Sequence, residues 1–80
     1  DVDVFDPSFI RQTGTPEPGG LLWNDMLVLL ERVFEKKNVI AADVVEFAPE
    51  SDRAEAFALA KLAYKLMTLS VNFNKEQEAQ

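Results

Sequence analysis

Val39-Ile40-Ala41-Ala42-Asp43-Val44-Val45-Glu46-Phe47 is a nearly continuous apolar run, rich in β-branched residues and closed by Pro49. It lacks the polar alternation of a half-solvated strand, and this predicts a strand over 39–47 covered on both faces, as in parallel sheets. Upstream, Trp23, Met26, Leu27, Leu30, Val33 and Phe34 recur at helical spacing. They predict an amphipathic helix over 22–37, with Lys36 and Lys37 complementing the dipole of its last turn. Asn38 ends it. Downstream, Ser51 or Asp52 is placed to cap a second, alanine-rich helix over 52–69, with Phe57, Tyr64 and Met67 on its buried stripe. Trp23, Phe34, Phe57 and Tyr64 are therefore read as core. The segment 70–80 turns polar and is expected to fray.

At the other end stands Asp1-Val2-Asp3-Val4-Phe5-Asp6-Pro7, with Val2 to Phe5 read as the end of a strand. Residues 6–20 hold all three glycines and three of the four prolines, which marks a long loop. Long irregular segments in small domains are usually functional. The order β-loop-α-β-α predicts an α/β fold, a mostly parallel sheet built from right-handed crossovers. Ligands of such sheets bind beyond the carboxyl ends of the strands. Asp1 and Asp3 close the first strand and Glu46 the second, so all three are expected at one rim.

Two residues along a strand span about 6.6 Å with both side chains on one face. Paired oxygen donors of that kind suit a hard or borderline cation, although an acidic loop that bonds its own amides is the alternative. A calcium loop of the EF-hand type is a poor rival, because position six is Asp6 rather than glycine and position twelve is Gln12. Asp6, before Pro7, is read as fixing the turn. Glu46 on an apolar strand is a costly charge unless paired, either with a cationic ligand or with Arg53 or a lysine. Asp43, three residues earlier, points to the opposite face and is read as structural. Gly14, Gly19 and Gly20 are read as positions of unusual torsion or close approach.

Eighty residues make one small domain or a piece of a larger one, and a chain this short buries only about 60% of its extended surface. Fourteen acidic against eight basic residues disfavour nucleic acid as a partner. The chain has no cysteine, which removes disulfides and thiolate metal sites, and no histidine, which removes Ser–His and Cys–His catalysis from these residues. No apolar run is long enough to span a bilayer and none resembles a signal peptide, so no membrane partner is expected. The chain opens inside a motif, and this predicts the C-terminal portion of a longer protein.

That motif carries a family resemblance. Asp1 to Pro7, then Thr13-Gly14-Thr15-Pro16-Glu17-Pro18-Gly19-Gly20-Leu21, then Asp43-Val44-Val45-Glu46, resemble in residue and spacing the ureohydrolases, the arginase and agmatinase family. The resemblance implies a three-layer, arginase-like α/β fold and two Mn²⁺ ions sharing a bridging hydroxide. It further implies metal ligation by Asp1, bridging both ions, and by Asp3, with histidines and further aspartates supplied upstream. Glu46 falls where the family binds the substrate guanidinium, and Thr15 where it hydrogen-bonds near the nucleophile and substrate. The implied reaction is hydrolysis of a guanidino compound to urea and an amine, in a cytoplasmic homo-oligomer, a trimer or hexamer. The Thr-Pro-Glu-Pro-Gly-Gly and Asp-Val-Val-Glu-Phe-Ala-Pro stretches look most like agmatinases, which act on agmatine. Arginase, guanidinobutyrase and formimidoylglutamase stay open, as does a non-catalytic α/β interaction module. Two positions depart from the family pattern. Arg11-Gln12 stands where Pro-Gly or Pro-Ala is common, and Leu22 stands at the usual threonine cap, leaving Asn24 as a candidate cap one turn later.

Overall fold

Leu22 cannot cap a helix with its side chain, yet the first helix starts directly after it. In this computed structural model, which describes residues 1–50 and 53–78, helix α1 spans Trp23–Lys36 and helix α2 spans Arg53–Glu78. The Asp25 carboxylate, in the first turn, accepts the Leu22 N–H at 3.1 Å. A first-turn carboxylate reaching back to the preceding amide satisfies one of the orphan donors of a helix start. Asn24 therefore lies inside the helix and is not its cap. The expected capping of α2 by Ser51 or Asp52 falls outside the described residues.

α1 buries Met26 and Phe34 and half-buries Trp23, Leu27 and Leu30, whereas Val33, expected on the same face, is 39% exposed. The face of α2 is the larger correction. Glu55, Leu59, Leu62 and Leu69 are its buried residues, while Phe57, Tyr64 and Met67 are 60–76% exposed on the opposite side of the helix. Both stripes are apolar at helical spacing, so periodicity alone does not choose between them. The leucine stripe wins because its Leu59 and Leu62 join Val2, Phe5, Ile10 and Met26 in the core cluster. α2 also continues to Glu78 through the polar stretch expected to fray. Beside it, Phe73 and Phe34 pack with ring centroids 6.3 Å apart.

No strand forms among the described residues. Val2–Val4 is a single 3-10 turn, closed by the Asp1 carboxylate, which accepts the Asp3 N–H at 3.0 Å. A side chain that captures the amide two residues on favours a turn over an extended segment. The 39–47 run forms no regular element and carries only isolated pairings: the Val2 N–H donates to the Val45 carbonyl at 3.0 Å, and Thr13 bridges Phe47 antiparallel. Ile40 is 90% exposed. A parallel strand needs ladder partners and cover on both faces, and the described residues provide neither. An apolar groove of about 500 Å³ lies between this run and the helices, lined by Val4, Met26, Leu30, Leu62 and Leu66 among others.

The loop after the 3-10 turn is by contrast well packed. Phe5 and Leu21 form a parallel bridge, with the Leu21 N–H donating to the Val4 carbonyl and the Asp6 N–H to the Leu21 carbonyl. Phe5, Phe9 and Trp23 then stack edge to face in sequence, 5.2 and 6.0 Å between centroids. This chain of aromatics joins the loop to α1. The candidate site rests on that base.

Candidate functional site

Asp6 organises the loop after the first turn. One carboxylate oxygen accepts the Ser8 N–H and hydroxyl, and the other accepts the Gly19 and Gly20 N–H groups at 2.8 and 3.3 Å. The Ser8 hydroxyl and amide, then the Gly19 amide, lower its pKa from 3.8 to about 2. This is the turn-fixing role read from the Asp-Pro pair. Gly20 is required for contact reasons: a Cβ there would sit 2.5–2.6 Å from backbone atoms of Val4, Phe5 and Asp6. Gly19 is required for torsional reasons, with φ at +88°. Gly14 meets neither criterion, because a Cβ there would enter open space.

Asp6 thereby folds the loop back so that Thr15 returns to the start of the chain. The Thr15 hydroxyl donates to Asp3 Oδ2 at 2.9 Å. Asp1 and Asp3 are thus not at strand spacing. They are linked through one turn, Asp1 through the Asp3 amide and Asp3 through the Thr15 hydroxyl. Each bond engages one oxygen of a carboxylate that has two. Asp1 and Thr15 are exposed and Asp3 half-buried. These oxygen donors fit a hard or borderline divalent cation in kind. They do not complete a site: among the described residues, no group of three or more His, Cys, Asp or Glu comes together that could hold a metal ion.

Glu46 reaches the same neighbourhood through the backbone. Val45, which precedes it, accepts the Val2 N–H, and Phe47, on its other side, bridges Thr13. Glu46 itself has φ of +69°, the one non-glycine residue in the left-handed region among those described. A side chain carrying a Cβ pays about 1–2 kcal/mol for that torsion. Strained residues of this kind cluster at sites of function. Glu46 is exposed rather than buried in a strand, so the costly-buried-charge argument does not apply to it here. Asp43 is likewise exposed.

The buried carboxylate is a different one. Glu55, in the first turn of α2, is 6% exposed and accepts the Arg11 and Gln12 N–H groups on one oxygen, at 2.8 and 2.9 Å. Its second oxygen lies 3.9 Å from Arg11 Nε. The Gln12 carbonyl accepts the Ala48 N–H at 2.7 Å, and its side-chain oxygen accepts the Glu50 N–H at 2.7 Å. Arg11-Gln12, the departure from the family pattern, is thus the best-anchored pair in the loop. Next to it the Thr13 hydroxyl is buried without a hydrogen-bond partner among the described residues. Sequence reading missed Glu55, since an acid in a first helical turn is ordinarily explained by the helix dipole alone.

Known proteins resemble the chain across this loop and both helices. The family model described as "Arginase family" matches residues 1–69. An N(1)-aminopropylagmatine ureohydrolase of Synechocystis sp. is 50% identical over 68 residues, 84% of this chain and 22% of that protein. Another N(1)-aminopropylagmatine ureohydrolase, of Thermus thermophilus, is 39% identical over 69 residues, 86% of this chain and 24% of that protein. An agmatinase of Shigella dysenteriae is 40% identical over 78 residues, 98% of this chain and 25% of that protein. No solved structure matches the chain. The chain spans about a quarter of the length of the curated relatives it matches. No helix among the described residues is long and apolar enough to cross a membrane. On the family match over residues 1–69, this chain belongs to the arginase family.

Proposed function

We propose that this chain is part of a manganese-dependent ureohydrolase that hydrolyses a guanidino compound of the agmatine type to urea and an amine. The observation that carries the reading is the 2.9 Å bond between Thr15 and Asp3, which joins the acid pair to the Thr-Gly-Thr-Pro loop. Relatives named agmatinase and N(1)-aminopropylagmatine ureohydrolase support agmatine or its aminopropyl derivative as substrate.

In this reading Asp1 and Asp3 hold two manganese ions together with ligands contributed by the rest of the protein. Bound manganese supplies Lewis acidity and an activated water near neutral pH. Glu46 receives the guanidinium, whose planar fork of N–H donors matches a carboxylate. Its exposure leaves the carboxylate accessible to a ligand, and its strained backbone fixes the direction in which it projects. Thr15 orients Asp3 by hydrogen-bonding one oxygen. The three-layer, mostly parallel sheet belongs to the same proposal, with the 39–47 run pairing as a strand up to Val45 once neighbouring strands flank it and Glu46 keeping its left-handed torsion at the strand end. So do a cytoplasmic setting and a homo-oligomeric state.

Urea release by the complete protein from agmatine, N(1)-aminopropylagmatine, arginine and 4-guanidinobutyrate tests the reading. Manganese-dependent release from one of the first two, well above the others, is expected. No release from any guanidino compound overturns it.

A further inference from the structure

Glu55 is the one buried charged residue of the described chain, and its partners lie more than forty residues away in sequence. Burying a carboxylate is costly unless it is hydrogen-bonded, and two successive backbone N–H groups on one oxygen meet that requirement. The ion pair with Arg11 adds little: the Arg11 side chain is 71% exposed and the separation is 3.9 Å. The link is therefore between a helix side chain and a loop backbone, and it fixes the path of the loop rather than the position of Arg11.

Two features lie directly downstream of that anchor. Gln12 of the anchored pair is tied to Ala48 and Glu50 by its two bonds, and the adjoining Thr13 bridges Phe47, so the loop meets the residues after Glu46. Three residues beyond Gln12, the Thr15 hydroxyl reaches Asp3. We propose that Glu55 is a positioning residue, which holds residues 11–13 so that Thr15 meets Asp3 and the backbone around Glu46 keeps its strained course. It touches neither metal nor substrate, and it acts through the loop. The proposal rests on the ureohydrolase reading for its catalytic consequence, but its structural part stands apart from that reading.

The test compares the complete wild-type protein with Glu55→Ala, Glu55→Gln and Arg11→Ala, by amide hydrogen exchange and by steady-state urea release with agmatine. Glu55→Ala is expected to speed exchange at least about tenfold in residues 10–16 and to leave α1 unchanged. It should also lower kcat on the order of 10- to 100-fold, the scale of an ångström-size misplacement, with KM moving less than about threefold. Glu55→Gln keeps an oxygen acceptor for both amides and should recover most of the loss, and Arg11→Ala should behave as wild type. Unchanged exchange in 10–16 overturns the proposal. So does loosening spread over both helices in the Ala and Gln variants alike, and so does a loosened loop with wild-type kcat. If the wild-type protein releases urea from no guanidino compound, the function proposed above falls, and the exchange data alone decide whether Glu55 anchors the loop.

Discussion

Residues 1–21 and residues 39–47 both lie outside the two α-helices, and they differ in where their partners come from. The first finds its partners within this chain: Asp6 collects four donors from the loop itself, α2 lends Glu55 to hold Arg11 and Gln12, and α1 lends Trp23 to the row of Phe5 and Phe9. The second is more apolar in sequence yet less packed, with Ile40 90% and Val45 41% exposed. Hydrophobicity sets a demand for burial but does not name the surface that meets it. Short-range carboxylate–amide bonds close on themselves, and a strand of a parallel sheet cannot.

The largest expected effect sharpens the functional side of that contrast. In the complete protein Glu46→Gln removes the charge proposed to face a guanidinium, worth about 1.5–3 kcal/mol, or roughly 10- to 150-fold in kcat/KM. Glu46→Gly should lose at least as much activity while raising stability by about 1 kcal/mol, because glycine adopts φ of +69° without strain. Kinetics and denaturant melts read the two effects separately. If Glu46→Gly lowers stability, the left-handed torsion is not a strain held for function.

Gly20→Ala tests the self-contained region. Its Cβ would strike backbone, which cannot rotate away, so a cost of about 1–3 kcal/mol is expected in urea unfolding. Gly14→Ala, in open space, should stay within about 0.5 kcal/mol. Equal costs at the two glycines would show that the loop is not packed as described.

Ile40→Ser tests the dependent region. At 90% exposure the change is worth less than about 0.5 kcal/mol. In the complete protein, where neighbouring strands are proposed to cover the run, it should cost about 2–3 kcal/mol. A cost below about 0.5 kcal/mol there would mean that the run stays uncovered and that no sheet forms around it.

The smallest effect is the response to acid. Asp6 titrates at about 2 when folded and near 3.8 when unfolded. Between these values the unfolded chain binds more protons, so the contribution of Asp6 is complete above about pH 4 and is lost as pH falls through about 2. Amide exchange in residues 6–20 followed from pH 5 to pH 2 should report this loosening, and Asp6→Asn should flatten it. A loop equally protected at both ends of that range would contradict the role of Asp6.

Much of the chain was legible in its residues, and the rest was hidden for specific causes. α1 could be placed because most of its apolar residues share one face, although Val28 and Leu29 lie exposed outside it. α2 could be placed but not oriented, since Phe57-Tyr64-Met67 and Leu59-Leu62-Leu69 offer opposite apolar stripes and only the core decides. Asp6 was legible as a local hub because its partners lie nearby in sequence. Glu55 was not, because its partners Arg11 and Gln12 are brought to it by the fold. The strand reading of 39–47 described what the run prefers, and a preference for pairing needs a partner.

The proposed manganese ligation by Asp1 and Asp3 can be assayed without any substrate. The most direct measurement is the manganese content of the complete protein, wild type against Asp3→Asn, after dialysis against metal-free buffer at neutral pH. About two ions per subunit are expected in the wild type and a clear loss in the variant, with folding preserved by circular dichroism. Equal manganese in both proteins would contradict it.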